Sequence, residues 1–264
     1  MRSWNELKIC AQNGHLPDRN LLVGFDFDGT LAPFALKPHQ AKVPREIRKL
    51  LERLARQKEI RVAIISGRSL VDVENKVGIP GAIYCGNHGL EIKTKRGLWV
   101  HPQTATLLKD IKALSEQLKK DIARFSGTEL EDKRFSLSLH YRRARKKADV
   151  KNLETLLKKR MVPYRQYLRI VHGKKLFDIR PRLNWDKGHA LLHLIDQLGV
   201  SWKACFIGDD TTDEEAFLTL GSKALSIRVG PAKTSHAQFL IHNRGYVKRF
   251  IELLVQRYEK NKQP

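Results

Sequence analysis

Two carboxylates one residue apart, Asp26 and Asp28, are the first residues of the chain whose type and spacing suggest chemistry; they lie in the stretch LLVGFDFDGTL, Leu21–Leu31. They follow a short, mostly apolar run, Leu21–Phe25, with the pattern of a strand buried on both faces. Gly29 permits a sharp turn, and Thr30 offers a hydroxyl. Ligands of open α/β sheets bind at the carboxyl ends of strands. There one carboxylate can act as a nucleophile and the other as general acid and base, and together they can hold Mg²⁺. Three further polar clusters join them: Ser66 after the apolar run Arg61–Ile65, Lys187 in WDKG at a helix start, and Asp209 with Asp210 after Ala204–Ile207. Singly, each has an ordinary structural reading: a turn serine, a solvated lysine, a pair of helix-capping acids. In this order and with these strand contexts they converge, because the carboxyl ends of parallel strands share one edge. The set is what phosphoryl transfer needs: an in-line carboxylate, a cation held by acids, and a hydroxyl and a lysine to grip phosphate oxygens, since positioning and electrostatics supply most of the rate.

The elements that must position these residues are legible in the periodicity. Ile47, Leu50, Leu51 and Leu54 recur at helical spacing after Pro44, which suits a helix start. Buried strands are expected at Leu21–Phe25, Arg61–Ile65, Ala82–Cys85, Ala204–Ile207 and Ala224–Val229, with helices between them. This alternation predicts a parallel sheet covered on both faces. The pattern changes after a hairpin around Gly97. A long helix is expected over Thr104–Phe125. In Glu131–Arg142 the second part alternates, Phe135, Leu137, Leu139 and Tyr141 facing one way and Ser136, Ser138, His140 and Arg142 the other. That is a strand of an antiparallel sheet with one apolar face. Residues 104–181 therefore read as an α+β domain inserted into a core of residues 1–103 and 182–264. The closing KNKQP is expected to fray.

Composition narrows the class. No apolar run approaches the roughly 18–20 residues that span a bilayer, and MRSWNELKIC lacks the apolar core of a signal peptide. A soluble cytoplasmic protein without a membrane partner is the expectation, and a monomer the default. Cys10, Cys85 and Cys205 are odd in number and far apart, which suits reduced, buried thiols. The net charge of +22 admits an anionic small substrate or a nucleic acid. The basic residues read as spread along the chain, and no nucleic-acid-binding motif accompanies them, so the small anion is preferred.

DFDGTL, ISGRS, WDKG and GDDTTDE resemble the four motifs of the haloacid dehalogenase-type phosphatases. Gly86-Asn87-His88-Gly89, Glu131-Asp132-Lys133 with His140-Tyr141-Arg142, and Ile179-Arg180-Pro181 narrow the resemblance to the trehalose-6-phosphate phosphatases, over about Leu21 to Phe217. The resemblance implies a Rossmann-like α/β core with an inserted α+β cap, and Mg²⁺-dependent hydrolysis of a sugar phosphate. It implies Asp26 as nucleophile, Asp28 as acid and base, and Ser66 and Lys187 on the phosphate. The metal would sit on the Asp26 carboxylate, the Asp28 carbonyl and Asp209, with Asp210 or Asp213 in support. Arg68 and His88 would line the mouth of the site, Glu131, Lys133 and Arg142 would contact the sugar, and Arg180 would lie near the domain junction. Relatives more often carry Glu at the position of Asp178, so its reach is shorter here. The alternatives are a phosphatase of another sugar phosphate, such as sucrose or glucosylglycerol phosphate, and a polyanion or nucleic-acid binder on a phosphatase scaffold.

Overall fold

A computed structural model describes residues 1–12, 16, 17, 19–35, 38–144, 146–173 and 175–260. The expected fraying of the C-terminus falls on 261–264, outside the described residues. The chain divides into two compact units, Met1–Trp99 with Trp185–Pro264, and Val100–Asn184. The division falls a few residues outside 104–181: the first stretch ends at Trp99, within the strand Gly97–Val100, and the chain re-enters the first unit at Trp185. In chain order the strands are β1 (Leu21–Phe25), β2 (Ile60–Ile65), β3 (Ile83–Gly86), β4 (Glu91–Thr94), β5 (Gly97–Val100), β6 (Glu129–Asp132), β7 (Leu137–His140), β8 (Leu168–Gly173), β9 (Leu176–Pro181), β10 (Lys203–Gly208), β11 (Leu225–Val229) and β12 (Phe239–Ile241).

The first unit is built on an eight-stranded sheet of order β12-β11-β10-β1-β2-β3-β4-β5. From β12 to β3 the pairing is parallel, and β4 runs antiparallel to β3. All five residues of β1 are buried, as its apolar run predicts. Leu21, Val23 and Phe25 join the core under the helices Trp4–Gln12, Arg45–Ala55, Leu70–Val77 and Arg244–Lys260. Leu22 faces the other way, into the core shared with the helices Lys187–Leu198 and Thr211–Leu220. From β1 the chain builds outward through β2 and β3 on one side, then returns to build β10, β11 and β12 on the other. The strand order reverses between β1 and β10, the crevice where open α/β sheets bind ligands.

The second unit is a four-stranded antiparallel sheet, β6-β7-β9-β8. Leu137 and Leu139 of β7 and Phe177 and Ile179 of β9 form its core with helix residues such as Ile111, Leu114, Leu153 and Leu157. The helix expected over Thr104–Phe125 is two, Pro102–Ala105 and Leu108–Ile122. The stretch Glu131–Arg142 also divides. Its first residues belong to β6, Arg134 turns in the left-handed region at φ 74°, and β7 covers only Leu137–His140. The basic residues are less evenly spread than the sequence suggested. Residues 100–184 hold 22 Lys and Arg against 9 Asp and Glu, so more than half of the +22 excess lies in this unit. Cys10, Cys85 and Cys205 are free and buried, and burial pushes the Cys85 and Cys205 thiols up. Among the described residues no helix is long and apolar enough to cross a membrane.

Candidate active site

Register brings the motif residues to one edge. Phe25 pairs with Ile207 of β10 and with Ile64 of β2, so Asp26, Asp209 and Ser66 leave the sheet within two residues of those pairs. The Asp26 amide donates to the Ile207 carbonyl at 2.9 Å. Ser66 is buried; its carbonyl accepts the His88 amide at 2.8 Å and its hydroxyl the Arg68 amide at 3.2 Å.

Lys187 is the centre of the arrangement. Asp186 caps the helix that Lys187 begins: its Oδ1 accepts from the amides of Gly188 and His189 at 2.6 and 3.1 Å. Its Oδ2 accepts from the Thr219 hydroxyl at 2.7 Å, which ties this helix to Thr211–Leu220. Lys187, only 2 % exposed, then donates from Nζ to Asp26 Oδ1 at 2.6 Å and to Asp213 Oδ1 at 2.8 Å.

The acids after β10 take separate tasks. Asp210 is the helix cap, accepting from the amides of Thr212 and Asp213 at 2.8 and 3.1 Å. Asp213, the third residue of that helix, completes the capping box: its Oδ2 accepts from the amides of Asp209 and Asp210 at 2.8 and 3.0 Å. Its other oxygen remains for Lys187. Asp209 accepts the Thr30 hydroxyl at 3.0 Å. Gly29 makes this possible. It sits at φ 93°, and a Cβ there would lie 2.2 to 2.5 Å from the Asp209 carboxylate.

Asp26, Asp209 and Asp213 each present a carboxylate oxygen, all within 4.8 Å of one another. Burial, with the neighbouring Asp213 and Asp210, pushes Asp209 up to about 7. Burial pushes Asp213 up to about 6 against the pull of Lys187, and raises Asp26 in the same way. One ammonium does not balance three clustered carboxylates. A hard divalent cation bound by oxygen ligands would; the donor set fits Mg²⁺ and, being all oxygen, does not resemble a zinc site.

Asp28 and Arg68 are bonded to each other. Arg68 grips both oxygens of Asp28, Nε to Oδ2 at 2.6 Å and Nη2 to Oδ1 at 2.8 Å, and gives Nη1 to Asp72 at 2.6 Å. Its guanidinium lies over the Phe27 ring, 5.1 Å from the centroid. Burial would weaken its charge, but Asp28 and Asp72 raise its pKa further than burial lowers it. Arg68 thus holds the second motif carboxylate. His88 adopts the left-handed region at φ 58°, with its ring packed over Gly67.

The remaining expected residues lie in the second unit. Glu131 meets His140 Nε2 at 2.9 Å. Lys133 is buried, and its ammonium donates to Asp178 Oδ1 at 3.2 Å. Ser138 donates to the same oxygen at 2.5 Å, and Arg180 Nε to Asp178 Oδ2. Arg142 follows β7 in a turn. Asp178, with its shorter reach, is therefore the acceptor around which Lys133, Ser138 and Arg180 gather.

Sequence reasoning did not single out Asp186 or Asp72, and gave Asp213 only a supporting place beside Asp210. Spacing could have ranked Asp213 higher: an acid at the third helical position after a capping Asp is a capping box, which turns that side chain back toward the strand end.

The chain is similar in sequence and in fold to known proteins. The family model described as trehalose-phosphatase matches residues 24–242. A trehalose-phosphate phosphatase of Mycobacterium tuberculosis (H37Rv) is 35% identical over 218 residues, 80% of this chain and 54% of that relative. The chain thus spans about half the length of the curated relatives it matches. The solved C-terminal domain of Candida albicans trehalose-6-phosphate phosphatase superposes with a TM-score of 0.78 at 20% identity, covering 97% of this chain and 98% of that one. A haloacid dehalogenase-like hydrolase from Bacteroides thetaiotaomicron has a TM-score of 0.61 at 14% identity, covering 89% and 99%. The fold is of the haloacid dehalogenase type, and by its match over most of its length the chain belongs to the trehalose-phosphatase family.

Proposed function

We propose that the chain hydrolyses the phosphomonoester of trehalose 6-phosphate, giving trehalose and phosphate through an aspartyl-phosphate. The observation that carries this reading is the buried Asp26 at the tip of β1, bonded to Lys187 and clustered with Asp209 and Asp213. Family membership supplies the substrate class.

Mg²⁺ would be held by Asp26, Asp209 and Asp213, with the Asp28 carbonyl as the resemblance implies, and would neutralise phosphate charge. The chain's own residues do the rest. An Asp26 oxygen attacks phosphorus, the phosphorus–sugar oxygen bond breaks, and the leaving oxygen takes a proton from Asp28. Asp28 then accepts a proton from the water that cleaves the aspartyl-phosphate, which restores both carboxyl groups. Arg68 bonds both oxygens of Asp28 and so fixes the orientation of the carboxyl group that exchanges the proton. Lys187 holds Asp26 in place and, with Ser66, would hold phosphate oxygens.

Such a core handles the phosphate of any monoester, so sugar selectivity is assigned to Glu131, Lys133, Arg142 and Arg180 of the inserted unit, with His88 at the first unit's strand edge. A screen of sugar phosphates, with and without Mg²⁺ and beside p-nitrophenyl phosphate, tests the reading. Mg²⁺-dependent release preferring trehalose 6-phosphate is expected. Preference for sucrose or glucosylglycerol phosphate would move the substrate, and metal-independent release would overturn the scheme.

A further inference from the structure

We propose that Arg169 is a specificity-determining residue of the inserted unit, donating from its guanidinium to acceptor oxygens of the sugar. The inference rests on the sugar-phosphatase reading and adds a residue that the motifs do not contain.

The polar face of the second sheet carries it. On β9, Asp178 and Arg180 share that face. Asp178 pairs with Ser138 of β7, which in turn pairs with Glu131 of β6. On the other side Arg180 pairs with Arg169 of β8. Two guanidinium-bearing residues thus stand directly opposite one another on one face of an antiparallel pair. Like charges so placed destabilise a sheet.

One acid could relieve them, but it is already committed. Asp178 takes Lys133 and Ser138 on one oxygen and Arg180 on the other. Glu131 is engaged with His140. Arg169 is half-buried, its Nε is sealed from solvent, and among the described residues that nitrogen has no hydrogen-bond partner. A buried donor left unsatisfied is costly, and a guanidinium only donates. Among the described residues no hydrogen bond offsets that cost at Arg169 Nε, and a local arrangement that conflicts with stability is a mark of function. What satisfies it is a ligand rich in acceptor oxygens. With both oxygens of Asp178 already bonded, this face has donors to offer, which suits sugar hydroxyl oxygens. A free phosphate has the same acceptor chemistry and is the other possible source.

The test compares Arg169→Gln and Arg169→Lys with the wild type in three measurements. Thermal unfolding should be unchanged or shifted upward in Arg169→Gln, because the opposed charge is gone. The ratio of kcat/KM on trehalose 6-phosphate to that on p-nitrophenyl phosphate should fall by about 10- to 100-fold, the scale of a lost hydrogen bond from a charged donor, with most of the change in KM. Trehalose alone should inhibit the wild type more strongly than Arg169→Gln, whereas inorganic phosphate should inhibit both alike. An unchanged ratio with a lowered Tm would overturn the proposal and make Arg169 structural. Selective loss of phosphate inhibition would overturn the sugar assignment. A wild type that cleaves p-nitrophenyl phosphate but not trehalose 6-phosphate would overturn the substrate reading itself. Arg169→Lys keeps the charge but not the planar fork, so it should recover less than half of the lost ratio if geometry is what the site reads.

Discussion

Replacing Lys187 by Met removes the one ammonium that Asp26 and Asp213 share, while keeping most of the side-chain volume. Both partners are buried, at 4 % and 0 % exposure, so water cannot replace it. Breaking a buried ion pair by removing one partner costs about 3–5 kcal/mol. The metal-free variant should therefore lose about 4 kcal/mol. With a urea slope of about 3 kcal/mol/M for a unit of this size, the midpoint should fall by more than about 1 M. Two compact units need not unfold together, but Trp4, Trp99, Trp185 and Trp202 all belong to the first. Tryptophan fluorescence in urea, with chelator present, therefore follows the unit that holds Lys187. Mg²⁺ should restore more stability to the variant than it adds to the wild type, since the acid cluster has lost its own cation. A midpoint within about 0.3 M of wild type under chelator would refute the reasoning, as would a variant that gains less from Mg²⁺ than the wild type does.

Three further outcomes are expected. Asp26→Asn keeps the shape of the nucleophile and removes its charge, so kcat should fall about 10³-fold or more, while Lys187 keeps Asp213 as its charged partner and the variant should still fold; substantial Mg²⁺-dependent turnover in a clean preparation would sink the assignment. Gly29→Ala strains a left-handed residue by about 1 kcal/mol and drives a methyl group into the Asp209 carboxylate, so a Mg²⁺ titration of activity should show weaker metal dependence than in any helix-surface Gly→Ala control. Asp186→Ala removes the cap that seats Lys187 and its tie to Thr219; it should cost about 1–2 kcal/mol by urea unfolding, and Asp186→Asn, which can still accept from the amides, should recover most of that loss.

The sequence by itself determined which residues carry chemistry on the first sheet and the edge from which they project. Runs such as LLVGF and ACFIG have few ways to be buried except as central parallel strands, and a residue one step past such a run must emerge at its carboxyl end. That is why Asp26, Ser66 and Asp209 could be placed from local pattern alone. What the side chains then grip was decided only by tertiary structure. Lys187 reaches Asp26 across 161 residues, and Arg68 reaches Asp28 across 40. The preference for Asp213 over Asp210 beside Lys187 depends on which oxygen the capping box leaves over. In the second unit, the alternation around Ser138 gave a polar face, but not that Asp178 would take Lys133, Ser138 and Arg180 there or that Arg169 would stand opposite Arg180. Periodicity reports the face a residue takes relative to its own neighbours in the chain. The partner on the next strand depends on register, which is fixed by the packing of both strands together.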